Sequence, residues 1–359
     1  MGKSFKLNQV LKVINEHASQ GVDGLVLHST YNRFWFLEFA SSDGYVLINK
    51  NGDAIYLVDA RYYTAAKEVV TNAKVVLLAR TEEKSVIDLL VDAANELEIE
   101  NALVEADYIT LETHELIKRF VPKTTPFTSA HLRAIKTKEE INFLQKAGDI
   151  TADAYIWLRE NVDVVGLKEI EVANILTKKM LDLGAAKNSF DPIVASGPNG
   201  GCPHHHPGDR VIEDGDMVTV DMGCIVNGYC SDMTRSFIAG NKPNPEMQEI
   251  YDIVLAAQTK GIELTSSKVT GQEVDTLCRS MIDSTKYKGY FTHGTGHGVG
   301  IEVHELPNTN GGNKELLPVN SVVTVEPGIY IPNVGGVRIE DTIVVTDGVA
   351  INLTGRAPK

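Results

Sequence analysis

Residues 216–237, DMVTVDMGCIVNGYCSDMTRSF, read as a β-hairpin. Two runs of alternating apolar and polar residues flank Asn227-Gly228, the dipeptide best suited to a two-residue type I′ turn because both of its central residues need positive φ. With Asn227 and Gly228 as the loop, Val226 pairs with Tyr229, Asp221 stands opposite Thr234, and Asp232 lies one diagonal step away. Side chains alternate faces along a strand, so both aspartates project from one side at the roughly 7–8 Å spacing of diagonal neighbours. The other face of the first strand carries Val218, Val220 and Met222, as a strand packed on a core should. Two carboxylates that close repel each other unless a proton or a cation lies between them.

An aspartate pair on a hairpin is by itself an ordinary solvated surface pair. The rest of the chain changes the reading. Residues 291–300, FTHGTGHGVG, followed by Glu302, His304 and Glu305, place His293, His297 and His304 among glycines that leave imidazoles uncovered. Residues 322–330, VVTVEPGIY, end a β-rich run at Glu326 before a Pro-Gly break; Val334-Gly335-Gly336 reads as a turn, and residues 337–345 return as a strand. Pairing of these strands around Asn333 sets Glu326 opposite Glu340, with Arg338 on the same face as Glu340. Together Asp221, Asp232, His297, Glu326 and Glu340 make a carboxylate-rich donor set suited to two divalent ions. Mn²⁺ heads the admissible ions, with Co²⁺ or Zn²⁺ as the others, and no EF-hand calcium loop is present.

Length and composition bound the class. At 359 residues the chain exceeds what one hydrophobic core usually serves, so two domains are expected. A net charge of −14 with no basic block argues against a nucleic-acid or anionic-membrane partner. No apolar run is long enough to span a bilayer, and the charged amphipathic start MGKSFKLNQVLKVINEH is unlike a signal peptide, so a cytoplasmic location is expected. Four cysteines lack CxxC spacing, and Cys224 and Cys230 point to opposite hairpin faces, so reduced thiols are expected.

Residues 7–17 have helical spacing, 24–27 form an apolar strand, and 45–48 with 55–58 flank Asn51-Gly52 as a second hairpin. Residues 85–97 read as a helix, 101–105 as a strand and 111–120 as a helix, giving a mixed α/β domain. Pro122 to Pro126 reads as a linker or a stiff edge, and a boundary is placed near Ala130. Thr137 with Glu140 is a capping box that opens the next helix. A weak internal duplication relates residues 165–183 to 270–282, each a short lead into a helix.

The ordered set VDMGC, NGYCSDMTR, HGTGHGVG with the following HE, TVEPGIY and GGVRIED resembles the pita-bread metallopeptidases of the Xaa-Pro aminopeptidase (aminopeptidase P) and Xaa-Pro dipeptidase (prolidase) group. The resemblance covers nearly the whole chain. It implies an α/β (α+β) architecture: a creatinase-like N-terminal domain over residues 1–130 and a pita-bread catalytic metallopeptidase domain over 131–359. It further implies that Asp221, Asp232, His297, Glu326 and Glu340 are ligands of two divalent ions, with Glu326 also the general acid/base. His293 and His304 would contact substrate, His204, within His204-His205-His206, would be the remaining site histidine, Arg338 would hold ligand carboxylates, and Tyr330 would line the site. The implied substrate is a proline-containing peptide and the implied assembly a homodimer.

FASSDGY with VDARY in the first domain is similar to stretches of short bacterial aminopeptidases P, and Asn308 stands where many relatives have arginine, which leans away from a strict Xaa-Pro dipeptidase. A metal-free creatinase-like protein or a peptide-binding module is the alternative from another class.

Overall fold

A computed structural model describes residues 2–359, which divide into two compact units, Met1–Arg133 and Ala134–Lys359. The first unit is built on a six-stranded sheet in the order Lys74–Leu77, Ala54–Val58, Tyr45–Asn49, Gly24–Leu27, Asn101–Glu105, Lys123–Phe127. The middle strands are buried along their whole length, as their continuous apolar runs require, and helices such as Val86–Glu96 pack on them. Of the two readings of Pro122–Pro126 the stiff edge holds and the linker does not: the segment forms the edge strand Lys123–Phe127, parallel to Asn101–Glu105, where Pro126 is tolerated because one side of the strand has no ladder to feed.

The Asn51-Gly52 hairpin forms, but not with a two-residue loop. Asn49 pairs across to Asp53 through its backbone N–H, and the loop is residues 50–52. The reason is local: Asn49 Oδ1 accepts from the backbone N–H of both Asn51 and Asp53, at 3.0 and 2.9 Å, and that Asx arrangement closes the wider turn.

The second unit repeats one plan twice. Helices Lys138–Asn161 and Glu169–Asp182 cover strands Ile193–Ser196, Met217–Met222 and Met233–Ile238; helices Pro245–Leu264 and Gly271–Asp283 cover strands Val322–Val325 and Asp341–Val344. Each half has its own apolar core. The two residues that precede the second helix of each pair, Lys168 and Thr270, each make an isolated antiparallel bridge, to Val211 and Leu316, so the duplication expected from the sequence is present in the backbone. Thr137 Oγ1 accepts from Glu140 N at 3.2 Å and Glu140 Oε2 accepts from Thr137 N at 2.7 Å, while Glu140 Oε1 takes the Tyr229 hydroxyl at 3.0 Å. The capping box thus starts the first helix and ties it to the hairpin tip.

The hairpin register is the one its turn dictates. Val226 pairs with Tyr229, Asp221 with Thr234, and Asn227 and Gly228 have φ of 50° and 85°. The first strand is interrupted at Gly223, between Met217–Met222 and Cys224–Val226, where the backbone closely approaches the returning segment: a Cβ there would lie 2.0 Å from Ser231 O. In the second hairpin Val325 pairs with Asp341 and Gly328 with Arg338, and continuing that register sets Glu326 opposite Glu340. Its turn is residues 332–334 about Asn333, at φ 62°, and not Val334-Gly335-Gly336. Gly335 and Gly336 belong to the strand Gly335–Arg338, where a Cβ on Gly336 would lie 2.1 Å from Gly200 O; the glycine serves close backbone approach rather than turning.

Candidate metal centre

Both hairpins contribute to one cavity of about 440 Å³, a volume suited to a small ligand. Asp221 and Asp232 reach it from the first hairpin, Glu326, Arg338 and Glu340 from the second, His297 from the short strand Gly296–Gly298, and His293 and His304 from the loops on either side of that strand. His204, His205 and His206 also line it. Tyr330 alone among the residues singled out from the sequence stands behind the wall: its hydroxyl is 2.7 Å from His293 Nε2 and accepts from Arg338 Nη1 at 3.0 Å.

The donor atoms converge. Ligand atoms of Asp232, His297 and Glu340 all lie within 4.8 Å of one another. His297 Nδ1 is 3.0 Å from Gly298 O, and since a carbonyl only accepts, Nδ1 carries the proton and Nε2 presents a lone pair. That lone pair lies 3.3 Å from Glu326 Oε1 and 3.6 Å from Asp232 Oδ2, acceptor against acceptor. Hydrogen bonds orient the carboxylates: Thr234 Oγ1 donates to Glu340 Oε2 at 2.6 Å, Thr324 Oγ1 to Glu326 Oε1 at 3.1 Å, and Arg338 Nη2 to Asp221 Oδ2 at 2.7 Å. Asp221 Oδ1 is buried with no hydrogen-bond partner.

Burial and crowding govern the charge. Burial first, then Glu340, Asp221 and Glu326, hold the Asp232 carboxyl well above its usual range; burial, then Glu326 and Asp221, do the same to Glu340. Glu326 is pushed up to about 8, chiefly by burial. Burial draws His297 down to about 4, helped by the nearby His304, and draws His293 down to about 4, helped by Arg338. A neutral imidazole lone pair, an orphaned buried carboxylate oxygen and carboxyls that cannot all ionise together fit divalent cations, which would neutralise the cluster and use those electron pairs.

The remaining histidines differ in setting. His304 is exposed and its ring stands edge-on to His297 at 4.2 Å between centroids. His204 is exposed and near enough for its charge to lower both His293 and His304. His205 turns instead to Glu169, with Nε2 2.7 Å from its carboxylate. Glu169 was not visible in the sequence as a site residue. Its fully buried side chain accepts from Ser196 N and Oγ, Asn199 Nδ2 and Gly208 N, and so holds the loop that carries His204. An acidic residue in the first turn of a helix is commonplace, so nothing marked it. Phe190, Asp191, Asn308 and Asn310 are also in the cavity walls.

Comparison with known proteins agrees with this geometry. Residues 142–347 match the profile of metallopeptidase family M24, and residues 9–135 that of the creatinase/prolidase N-terminal domain. The solved structure of an Xaa-Pro dipeptidase from Bacillus anthracis superposes with a TM-score of 0.93 at 37% identity, covering 99% of this chain and 98% of that one. An Xaa-Pro dipeptidase of Pyrococcus furiosus is 34% identical over 350 residues, 97% of each chain. An X-Pro aminopeptidase structure from Thermotoga maritima has a TM-score of 0.84 at 31% identity, covering 93% of this chain and 96% of that one. With more than half of its length matched and with full-length relatives above 30% identity, the chain belongs to metallopeptidase family M24, within its Xaa-Pro peptidases, and is a mixed α/β metallopeptidase with a creatinase-type N-terminal domain and a pita-bread domain.

Proposed function

We propose that the chain is an Xaa-Pro aminopeptidase that removes the residue before proline from longer peptides. The observation that carries the choice is the cavity wall. Arg338 is the one arginine or lysine among its described lining residues, and it is committed to Asp221, Thr234 Oγ1, Tyr330 and Pro203 O. Asn308 and Asn310 supply neutral carboxamides where a free substrate carboxylate would call for a cation. The names of the Bacillus anthracis and Pyrococcus furiosus relatives favour the second reading, Xaa-Pro dipeptidase.

In this reading residues 131–359 are the catalytic domain, residues 1–130 the leading one, and Asp221, Asp232, His297, Glu326 and Glu340 hold two divalent ions, manganese first and cobalt or zinc otherwise. Such ions, when bound, would lower the pKa of a bound water towards neutrality and polarise a carbonyl oxygen. Glu326 takes the proton from the nucleophile and later passes it on, the part of a general acid/base. The proline nitrogen has no N–H and must be protonated as it leaves; Glu326 passes on the proton it took, assisted by His304 at the cavity. His293 and His304 contact the substrate and stabilise the charge that develops on its carbonyl oxygen, and His204 is the remaining site histidine. Arg338 holds Asp221 in place through its hydrogen bond, and Tyr330 fixes the ring of His293 from behind.

The same reading makes the protein a cytoplasmic homodimer: its four thiols are free, as a reducing compartment requires, and light scattering tests the dimer. Side-by-side hydrolysis of Xaa-Pro and Xaa-Pro-Yaa by the manganese-loaded chain tests the activity. Faster turnover of the tripeptide is expected, and turnover of the dipeptide alone would replace the first reading with the second.

A further inference from the structure

The helix Gly271–Asp283 carries Asp275 and Arg279, four residues apart, which in isolation is an ordinary surface ion pair. Its hydrogen bonds are not those of a surface pair. Arg279 Nη1 donates to Phe291 O at 2.7 Å and Nη2 to His293 O at 2.6 Å, while Nη2 and Nε also reach the two Asp275 oxygens at 3.1 and 3.2 Å. Asp275 is buried, and its Oδ1 accepts from both the N–H and the hydroxyl of Thr295 at 3.0 Å. The guanidinium lies over the Phe291 ring at 4.3 Å, and that ring meets His293 edge-on at 5.1 Å. The backbone of residues 291–295 is therefore gripped on both sides of His293 by one planar fork and its carboxylate. The ring it presents is fixed as well, with Nδ1 2.7 Å from Gly294 O and Nε2 2.7 Å from Tyr330.

A fork whose two terminal nitrogens each bind one of two carbonyls, those of Phe291 and His293, sets orientation as well as position, which a lysine at the same place cannot reproduce in full. We infer that Arg279, held by Asp275, is a positioning residue for turnover: it sets the aim of His293 into the cavity while touching neither substrate nor any proposed metal ligand. The inference rests on the proposed role of His293 in stabilising the transition state.

The test is a double-mutant cycle on the manganese-loaded full chain with an Xaa-Pro-Yaa peptide, using Arg279→Met, His293→Ala and the pair, with Arg279→Lys as the conservative variant. Arg279→Met is expected to lower kcat by about 10- to 100-fold, as loss of a supporting partner typically does. KM and bound manganese should stay at the wild-type level, Arg279→Lys should recover part of the rate, and the double variant should be no slower than His293→Ala alone. Wild-type turnover by Arg279→Met, or multiplication of the two losses in the double variant, would overturn the inference.

A second readout does not depend on activity: the long-range ¹H–¹⁵N spectrum of the imidazoles should show His293 as the Nδ1–H tautomer in the wild type and lose that fixed signature in Arg279→Met. An unchanged spectrum would also overturn the inference. Failure of the wild type to cleave any proline peptide would sink the aminopeptidase reading, and the spectrum would still decide on the clasp.

Discussion

Replacing Asp232 by asparagine should abolish activity and yet stabilise the protein once metals are stripped. Asp232 is buried, and its ligand oxygen lies within 4.8 Å of the ligand nitrogen of His297 and the ligand oxygen of Glu340. At that separation two unit charges repel by about 3.5 kcal/mol at an effective dielectric of about 20. The wild type without metal must either hold that charge against its neighbours or bind a proton that the unfolded chain releases; asparagine does neither. Because the folded-state pKa values of Asp232, Glu340 and Glu326 are raised, the penalty is absent below their unfolded values near 4 and grows as pH rises through the folded ones, about 8 for Glu326. Proton uptake caps the gain, so about 2 kcal/mol is expected at pH 8, which is roughly 4–8 °C in melting temperature for a unit of this size. Scanning calorimetry after dialysis against a chelator, at pH 5 and pH 8, measures it. Asp232→Asn should melt higher than wild type at pH 8 and close to it at pH 5. Manganese at a hundredfold over its Kd should then raise the wild type by about 2.7 kcal/mol and leave the variant nearly unmoved. A variant that melts below the wild type at pH 8, or that gains as much from manganese, would show that Asp232 is not part of a repelling, cation-seeking cluster.

Both hairpins were legible because their turns and faces are short-range facts. Asn227-Gly228 admits one two-residue loop, and from it the pairing of Asp221 with Thr234 follows by counting; Glu326 and Glu340 come opposite each other by the same arithmetic about Asn333. What the sequence hid depends on distant partners. Gly335-Gly336 has turn composition, but it lies in a strand because Gly200 presses on it from elsewhere in the chain. The helix Thr30–Leu37 has the composition of a strand, with Tyr31, Phe34, Trp35 and Phe36, and is helical because Ser29 caps it and its Trp35 and Phe36 are buried in the first unit. Arg279 and Glu169 were invisible for a related reason. Their helical spacing and first-turn position are those of ordinary solvated charges, and only tertiary structure turns them onto the loops that carry His293 and His204.

Three further outcomes are expected. His297→Ala should lose manganese and turnover together, whereas His304→Ala should keep the metal and lose rate; metal analysis beside kinetics separates them, and equal metal with full turnover in both would remove the assignment. Gly223→Ala should lower stability by about 3 kcal/mol or more, since the added Cβ meets backbone oxygen at 2.0 Å rather than a side chain that could move, and urea unfolding checks it. The last concerns Arg235 and Asp341, a pair with 0% side-chain exposure at 2.7 Å, in which Arg235 also donates to Glu340 O at 2.5 Å and so fixes the strand bearing a proposed ligand. Although burial alone would raise the Asp341 carboxyl, Arg235 and Lys359 outweigh it and bring it down to about 2, from an ordinary 3.8. A depressed carboxyl contributes stability that is present above its unfolded pKa and lost as pH falls through the folded one. Asp341→Asn leaves the guanidinium buried without its counter-charge and should cost about 3–5 kcal/mol at pH 7, with the gap to wild type constant from pH 5 to 8 and closing as pH falls from 4 towards 2. If denaturant unfolding finds the two proteins equally stable at pH 7, the attraction within the pair does no more than cancel the desolvation of its charges, and the carbonyls around Arg235 suffice to hold Glu340 in place.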